Sequence, residues 1–272
     1  MNHFETDWLS LREPADHRAR NRILTGRLSS RFQDRPGIRV VDLGCGTGST
    51  VRALSGLLPG PQSWRLVDHD EAHLARAAAM LADTRDRDGR SVAVETVRAD
   101  LSSGVDPTLL DGVDLVTLSA FFDLVSRGFL ERFAAAAAER GTTVYAALTV
   151  DGRLQCEPAD PLDTAVFDAF NTHMTRDKGF GPALGPKAPE TAIHVFRNRG
   201  FRVEAGRSDW EIGPDEPALA ARLLDGWATA AGETGLVPAA DLARWTRRRQ
   251  GEIAAGAARL TVGHVDVLAM PA

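Results

Sequence analysis

A short glycine-rich stretch constrains the fold of this 272-residue chain more than any other feature. An apolar run ending at Asp42 is followed by the turn Gly44–Gly48, and a helical pattern of apolar residues begins near Ser49. This order predicts a buried strand, a tight turn and a helix. Glycine has no Cβ and tolerates positive φ, so backbone N–H groups in such a turn can approach a ligand closely. The spacing is G-x-G-x-G rather than the dinucleotide fingerprint G-x-G-x-x-G, because Ser49 occupies the position of the third glycine.

Acidic residues also follow the next two predicted strands. Asp68 ends the predicted strand 64–68, and Asp100 comes directly after the predicted strand 92–97. Any one of these acids is explained equally well as a helix N-cap or a loop charge, and the turn alone as a β–α turn without a ligand. Three acids at the ends of successive strands instead favour one ligand site, because parallel α/β sheets bind ligands at the carboxyl ends of their strands.

The motif D-x-G-x-G-x-G from Asp42 to Gly48, with the two later acids, resembles the class I S-adenosylmethionine-dependent methyltransferases. The resemblance covers about Val40 to Thr149 well and the last strands more loosely. It implies an α/β fold with a doubly wound, seven-stranded and mostly parallel sheet whose final hairpin is reversed. It also implies S-adenosyl-L-methionine as the cofactor, with Asp68 on the ribose hydroxyls, His69 against the adenine and Asp100 accepting from the adenine amine. The cofactor-binding residues implied in this way are Asp42, Gly44, Cys45, Gly46, Gly48, Asp68, His69, Asp100, Leu101 and Ser119.

The rest of the chain is predicted to complete a single domain, 1–272. Residues 1–36 are expected to form an N-terminal helical cap. Strands are predicted at 113–119, 142–149, 200–204 and 259–268, and two extra C-terminal helices at 216–232 and 238–257. Segment 150–190 is rich in glycine and proline and also carries three phenylalanines, which predicts an inserted lid or substrate wall.

The methyl acceptor is not named by these motifs, because fold and cofactor are shared across many substrates. Signatures of base and glutamine methylation are missing, which leaves an oxygen or nitrogen of a small metabolite, with an anionic one favoured. His173 is the first candidate for a general base and Asp123 the second. Arg153, Asp177 and Lys178 are the candidates for binding the substrate. For each of these, the alternative is a solvated loop residue.

Composition excludes several other classes of protein. The net charge of −5 argues against a nucleic-acid partner, although the basic segment 244–249 keeps an RNA methyltransferase open. The N-terminus has no signal-peptide pattern, no apolar run is long enough for a membrane span, and a chain with two cysteines is expected in the reducing cytoplasm. No metal-ligand spacing is present. A nicotinamide dehydrogenase would need a Tyr-x-x-x-Lys pair, yet Tyr145 is followed by Thr149 at that position. A non-methylating S-adenosylmethionine-binding protein or regulatory subunit stays open as well.

Overall fold

A computed structural model, which describes residues 6–272, contains one mixed sheet that runs through the whole protein. Its spatial strand order is β3-β2-β1-β4-β5-β8-β6, and the short β7 pairs with β8. The strands are β1 (Ile38–Leu43), β2 (Gln62–Asp68), β3 (Ala93–Arg98), β4 (Leu115–Ser119), β5 (Thr143–Glu157), β6 (Phe201–Arg207), β7 (Trp210–Ile212) and β8 (Arg259–Pro271).

The first five strands of the sheet are parallel, and β8 runs antiparallel between β5 and β6. Strand order therefore reverses between β1 and β4, which lie side by side at the centre. In open α/β sheets this switch point leaves a crevice outside the carboxyl ends of the strands. The predicted doubly wound, mostly parallel sheet with a reversed final strand is confirmed.

Helices cover both faces of the sheet, and each face has its own apolar core. They are α1 (Thr6–Ala19), α2 (Arg22–Phe32), α3 (Ser49–Leu54), α4 (Glu71–Leu81), α5 (Arg127–Glu139), α6 (Asp163–Met174), α7 (Ala188–Asn198), α8 (Pro217–Thr234) and α9 (Ala239–Ala254). Helices α5 and α7 pack on one face, and the others contribute to the opposite core. Within residues 6–272 there is no helix whose length and apolar character would suit a membrane crossing.

The sequence predicts that strand β5 ends at Thr149, with a glycine- and proline-rich lid or substrate wall beginning at residue 150. Strand β5 instead continues to Glu157, because the long β8 supplies partners for it, such as Val262 for Leu154. Gly152, with φ of 83°, lies where the register between the two strands shifts. The prolines and glycines of this segment therefore mark a bulge and the ends of helices, and α6 occupies its middle.

The predicted N-terminal cap is helical over its described part, as α1 and α2. The first five residues of the predicted range 1–36 lie outside the described residues. Strand β7 is an element that the sequence analysis did not identify. Its Trp210 is buried and contacts α1, with its Nε1 donating to Asp16 Oδ1 at 3.1 Å. Helix α1 is thus fixed against the sheet edge close to the carboxyl ends of the strands.

Candidate functional site

The glycine turn between β1 and α3 has the conformation that its composition predicts. Gly44, Gly46 and Gly48 have φ of 66°, 51° and 81°. A Cβ at Gly44 would lie 2.9 Å from the Phe121 ring, and one at Gly48 would lie 2.8 Å from Leu81. Both the backbone conformation and the close packing therefore require glycine.

Asp68, at the end of β2, holds this turn in place. Its Oδ2 accepts a hydrogen bond from the Gly46 N–H at 2.8 Å, and its Oδ1 accepts one from the Asp70 N–H at 3.0 Å. The neighbouring His69 places Nδ1 3.2 Å from Asp68 Oδ1. A carboxylate has about four lone-pair positions, so Asp68 can still accept from a ligand.

A cavity opens above these strand ends, and α1 and the loop after α6 form its opposite wall. Seven of the ten residues predicted for the cofactor contribute to its lining: Gly44, Cys45, Gly46, Asp68, His69, Leu101 and Ser119. The other residues that line it are Leu9, Arg12, Asp16, Thr47, Ser49, Thr50, His73, Ala99, Ala120, Phe121, Leu124, Lys178 and Phe180. The cavity therefore joins the predicted strand ends to elements that the sequence analysis did not connect with them.

Arg20 lies under the floor of this cavity. Only 6% of the residue is exposed, and its Nε and Nη1 have no hydrogen-bond partner. Its Nη2 lies 3.4 Å from the hydroxyl oxygens of Thr50 and Ser119, which both line the cavity. Within residues 6–272, no carboxylate forms an ion pair with this guanidinium. Buried N–H groups without a partner are costly, so the free Nε and Nη1 of Arg20 would be stabilised by an anionic group of a ligand.

Asp42 is buried beneath the same floor, and its carboxylate form carries the charge opposite to that of Arg20. Its Oδ1 accepts from the Thr117 hydroxyl at 2.7 Å, while its Oδ2 is buried without a partner. Burial raises the pKa of Asp42 to about 7, although the Thr117 hydroxyl and the Arg20 charge oppose the shift. The carboxyl of Asp42 is not itself part of the cavity lining, and it reaches the lining through Thr50.

One face of α1 closes the cavity, because Leu9, Arg12 and Asp16 recur at helical spacing. The Arg12 guanidinium pairs with both carboxylate oxygens of Asp16, at 2.9 and 3.2 Å, and lies 5.1 Å from the centroid of the Trp210 ring. These contacts fix Arg12 with its charge largely compensated. Arg12, Asp16 and Arg20 were not predicted as site residues from the sequence. The spacing of residues 9, 12 and 16 is a signal that could have identified the first two.

Lys178 lines the cavity from the loop after α6. Its Nζ lies 3.4 Å from Nδ1 of His173, and Nε2 of His173 lies 2.8 Å from Oε2 of Glu233. Burial is the main reason why the pKa of Lys178 lies below its usual value, and the nearby Arg176 charge adds to this. His173 itself is behind Lys178 and is not part of the cavity lining.

The apolar part of this end of the cavity is aromatic. Phe121, Phe129 and Phe180 contact one another with ring centroids 5.5 to 5.9 Å apart. Ala120, just before Phe121, has φ of 50°, and its N–H donates to the Ala147 carbonyl at 2.9 Å. This strained residue turns the chain so that Phe121 faces the cavity.

Asp123 is buried just behind Phe121, and its Oδ1 has no hydrogen-bond partner. Burial raises the pKa of Asp123 to about 6, with the charges of Arg12 and Lys178 opposing the shift. The backbone carbonyl of Asp123 accepts from the Gly185 N–H at 2.9 Å, which fixes the end of the loop that carries Lys178. Asp123 lies outside the cavity lining.

Four further predicted residues lie away from the cavity lining. Arg153 forms a two-bond ion pair with Asp209, at 2.7 and 3.0 Å, and also pairs with Asp151. Asp177 accepts from the backbone N–H groups of Gly179 and Gly181 and so shapes its own loop. Asp100 is exposed and accepts from the Ser102 N–H, which lowers its pKa. Gly48 packs against α4.

The basic segment 244–249 is largely neutralised within the protein. Arg249 is fully buried and pairs with both oxygens of Asp163, at 2.6 and 2.7 Å, and with Glu252. Arg248 pairs with Glu252 and Asp160. Over the described range, 6–272, no group of three His, Cys, Asp or Glu side chains is arranged to hold a metal ion.

Comparison with known proteins identifies the fold. No protein-family model matches this chain, and no curated protein sequence matches it. Among solved structures, a cyclopropane-fatty-acyl-phospholipid synthase-like protein from Lactobacillus casei aligns over 97% of both chains, with 16% identity and a TM-score of 0.50. A SAM-dependent methyltransferase from Geobacter sulfurreducens, in complex with S-adenosyl-L-homocysteine, covers 100% of each chain with 18% identity and a TM-score of 0.48. A cyclopropane synthase from Mycobacterium tuberculosis covers 91% of this chain and 83% of its own, with 15% identity and a TM-score of 0.46. The strand order, the antiparallel β8 and the likeness to the Lactobacillus protein together show that this chain has the Rossmann-like fold of S-adenosylmethionine-dependent methyltransferases.

Proposed function

We propose that this protein is an S-adenosylmethionine-dependent methyltransferase whose acceptor is an oxygen or nitrogen atom of a small metabolite. The observation that carries the proposal is a pair of buried, oppositely charged side chains under the cavity floor, Arg20 and Asp42, whose hydrogen-bonding capacity is only partly used. Both are more than nine-tenths buried, and both have side-chain atoms without a hydrogen-bond partner. Their charges are opposite, which matches a zwitterionic ligand.

The amino-acid end of S-adenosylmethionine is such a zwitterion. The Arg20 guanidinium suits its carboxylate, since a guanidinium donates two parallel hydrogen bonds to such a group. Asp42 suits its ammonium group. The Thr50 and Ser119 hydroxyls, which already lie 3.4 Å from Arg20, are placed to add to the same contacts. A nicotinamide dinucleotide has no amino-acid end with adjacent ammonium and carboxylate groups, so this floor favours S-adenosylmethionine.

The nucleoside part would then lie along the ends of β2 and β3. The two oxygens of Asp68 can accept from the ribose hydroxyls, and the ring of His69, which lines the cavity, can pack on the adenine. Leu101 offers an apolar contact from the other side. Asp100 could contact the adenine amine only at the outer edge of the cavity. Its carboxylate is exposed and already accepts a hydrogen bond from the Ser102 N–H.

The acceptor would lie between α1 and the loop after α6, against Phe121, Phe180 and Leu124. Arg12 and the partly buried Lys178 both line this end, and the N–H groups of both side chains can donate hydrogen bonds to the acceptor. An anionic or partly anionic acceptor fits this arrangement. Methyl transfer from a sulfonium is an in-line displacement, so orienting the acceptor and excluding water account for much of the catalysis.

Two other functions compete with this one. A non-methylating S-adenosylmethionine-binding protein would use the cofactor end of the cavity alone, whereas the cation and aromatic wall at the other end favour an enzyme. An RNA methyltransferase would use an exposed basic surface. The ion pairs of Arg248 and Arg249 with acidic residues of the same protein argue against segment 244–249 in that role.

The test has two stages. Titration calorimetry should give binding of S-adenosylmethionine and S-adenosylhomocysteine and no binding of NAD. Release of S-adenosylhomocysteine is then measured with a panel of phenols, amines, carboxylic acids and phosphomonoesters, and with transcribed RNA as a separate arm. Tight NAD binding without binding of S-adenosylhomocysteine would contradict the proposal. Binding of S-adenosylmethionine without turnover of any tested acceptor would favour the non-methylating alternative. Turnover with RNA alone would favour an RNA methyltransferase.

A further inference from the structure

Three polar side chains connect the acceptor end of the cavity with the surface of the protein. Lys178 lines the cavity, and its Nζ lies 3.4 Å from Nδ1 of His173. Nε2 of His173 lies 2.8 Å from Oε2 of Glu233. The side chain of His173 is 16% exposed and that of Glu233 is 54% exposed. The series therefore leads from a group facing the cavity, through a largely buried imidazole, to a carboxylate in contact with water.

The residue type at the cavity end is unusual for this chain. Of its 32 lysines and arginines, two are lysines, Lys178 and the exposed Lys187. A guanidinium keeps its proton at any accessible pH and is suited to holding an anion, whereas the amine of a partly buried lysine can lose its proton. A site that needed a fixed positive charge would be served by the arginine that this chain uses elsewhere.

We propose that Lys178 is the general base of the methyl transfer and that His173 and Glu233 carry the proton to solvent; this inference rests on the proposed function. In the reaction, a lone pair on the acceptor oxygen or nitrogen forms a bond to the methyl carbon. The electrons of the carbon–sulfur bond stay on sulfur, which becomes a neutral thioether. The proton of the acceptor moves to the neutral Nζ of Lys178, which becomes an ammonium group.

Recovery of the base follows the hydrogen bonds of the resting protein. The ammonium of Lys178 donates a proton to Nδ1 of His173, while the Nε2–H of His173 passes its proton to the Glu233 carboxylate and from there to water. In this arrangement His173, the base expected from the sequence, acts through Lys178 and is a positioning residue. This role explains why His173 lies behind Lys178 and does not line the cavity.

The charged groups around Lys178 set its protonation from several elements. Arg176, on the same loop, favours the neutral amine, as burial does. Glu233 on α8 and Asp123 after β4 favour the ammonium form. Arg12 on α1 faces Asp123 and partly offsets that carboxylate. Asp177 is engaged by the backbone N–H groups of Gly179 and Gly181. The net result is a pKa of Lys178 below its usual value.

The two lysines make a direct experiment possible. The full-length protein, with and without saturating S-adenosylhomocysteine, is labelled with a limiting amount of acetic anhydride at a series of pH values. Peptide mass spectrometry then follows the acetylation of Lys178 and Lys187 separately. The exposed Lys187 serves as the internal reference for reagent activity and for unfolding of the protein. The midpoint of Lys178 labelling should lie below the value of about 10.4 for an ordinary lysine amine. Glu233→Gln should lower it further, because a carboxylate that stabilises the ammonium is removed.

A matched control is Glu95→Gln, an exposed carboxylate on β3 that pairs with Arg65 at the far edge of the sheet. It should leave the midpoint of Lys178 unchanged. A midpoint at or above that of an ordinary lysine, or one that does not respond to Glu233→Gln, would overturn the inference. Failure of the proposed function is seen separately, as missing S-adenosylhomocysteine binding in calorimetry with an unchanged lysine titration.

Discussion

The two ends of the cavity are built in different ways. The end proposed for the cofactor consists mostly of residues at or just beyond the carboxyl ends of parallel strands, including Gly44, Asp68, Leu101 and Ser119. The end proposed for the acceptor is assembled from α1, the residues after β4 and the loop after α6, and each of its charged side chains depends on a near partner in the chain together with a distant one. Arg12 is held by Asp16 and Trp210, and Lys178 contacts His173, whose ring binds Glu233. The first end is encoded locally, and the second exists only once the tertiary structure has formed.

This contrast predicts that substitutions at the two ends separate binding from turnover. Cofactor affinity should depend on the strand ends and their floor, while the rate of methyl transfer should depend on α1 and the loop. Substitutions at each end can therefore confirm or contradict that separation.

The largest effect is expected for Lys178. Lys178→Arg leaves a side chain that stays protonated and cannot act as a base, and Lys178→Met leaves one that cannot ionise. General acid–base catalysis contributes about 10²–10⁴-fold, so both variants should lose roughly that factor in the rate of S-adenosylhomocysteine release with the best acceptor of the panel. Their affinity for S-adenosylhomocysteine should match that of the parent in calorimetry. Full activity of Lys178→Arg would show that Lys178 binds an anion and does not remove a proton.

The second effect concerns the floor of the cofactor end. Arg20→Met should weaken S-adenosylhomocysteine binding by about 2–4 kcal/mol, because a buried ligand carboxylate would lose its charged partner. The matched control is 5′-methylthioadenosine, which has the same nucleoside but no amino-acid end, and it should bind parent and variant equally. An equal loss for both ligands would mean that Arg20 supports the fold and does not contact the carboxylate.

A smaller effect is expected at the ends of β2 and β3. Asp68→Ala should weaken S-adenosylhomocysteine binding by about 1–3 kcal/mol, since it removes acceptors for the ribose and also the bond that fixes Gly46. Asp100→Ala should cost less, because this carboxylate is exposed. Asp106→Ala is its control, as Asp106 accepts from the Thr108 N–H in the same kind of turn. If Asp100→Ala and Asp106→Ala bind alike in calorimetry, Asp100 has no adenine contact.

The pH dependence of binding tests Asp42. The pKa of Asp42 is raised to about 7, so below that pH the free protein holds a proton that the ligand ammonium must displace. Affinity for S-adenosylhomocysteine should therefore fall by up to about tenfold per pH unit below pH 7, and Asp42→Asn should remove this slope. Calorimetry in buffers of different ionisation enthalpy should show proton release near pH 6. A slope that persists in Asp42→Asn would assign the proton to another group, Asp123 first.

The same shift affects the stability of the free protein. The folded state binds the Asp42 proton more tightly than the unfolded state does, since the pKa rises from 3.8 to about 7 on folding. Stability should therefore decrease as pH rises between these two values, and Asp42→Asn should flatten this dependence. Denaturant unfolding at pH 5 and pH 8 measures the difference. An identical pH dependence in parent and variant would contradict the raised pKa.

The same contrast explains what the sequence could predict. The glycine turn and the acids at strand ends are short-range patterns, and the family resemblance that they carry predicted the doubly wound sheet. Seven of the ten residues predicted for the cofactor line the cavity. The position of Arg20 could not be predicted in this way. No residue near it in the sequence indicates that it contacts Ser119, which comes 99 residues later in the chain. The extension of β5 was missed because its partner, β8, lies far downstream. Side chains whose surroundings come from distant elements carry no local signal.

Two arginines provide the finest test of this contrast. The sequence favoured Arg153 as a substrate contact, whereas the structure places Arg12 in the cavity lining and pairs Arg153 with Asp151 and Asp209. The side chain of Arg153 is 40% exposed, and exposed ion pairs contribute about 0–1 kcal/mol, so Arg153→Gln should change stability and turnover only slightly. Arg12→Gln should instead raise the KM for the acceptor with little change in S-adenosylhomocysteine affinity, because it removes a side chain from the acceptor wall. Steady-state kinetics on both variants decides between the two positions. A larger rise in KM for Arg153→Gln than for Arg12→Gln would move the acceptor from the α1 side of the cavity to the extended hairpin of β5 and β8.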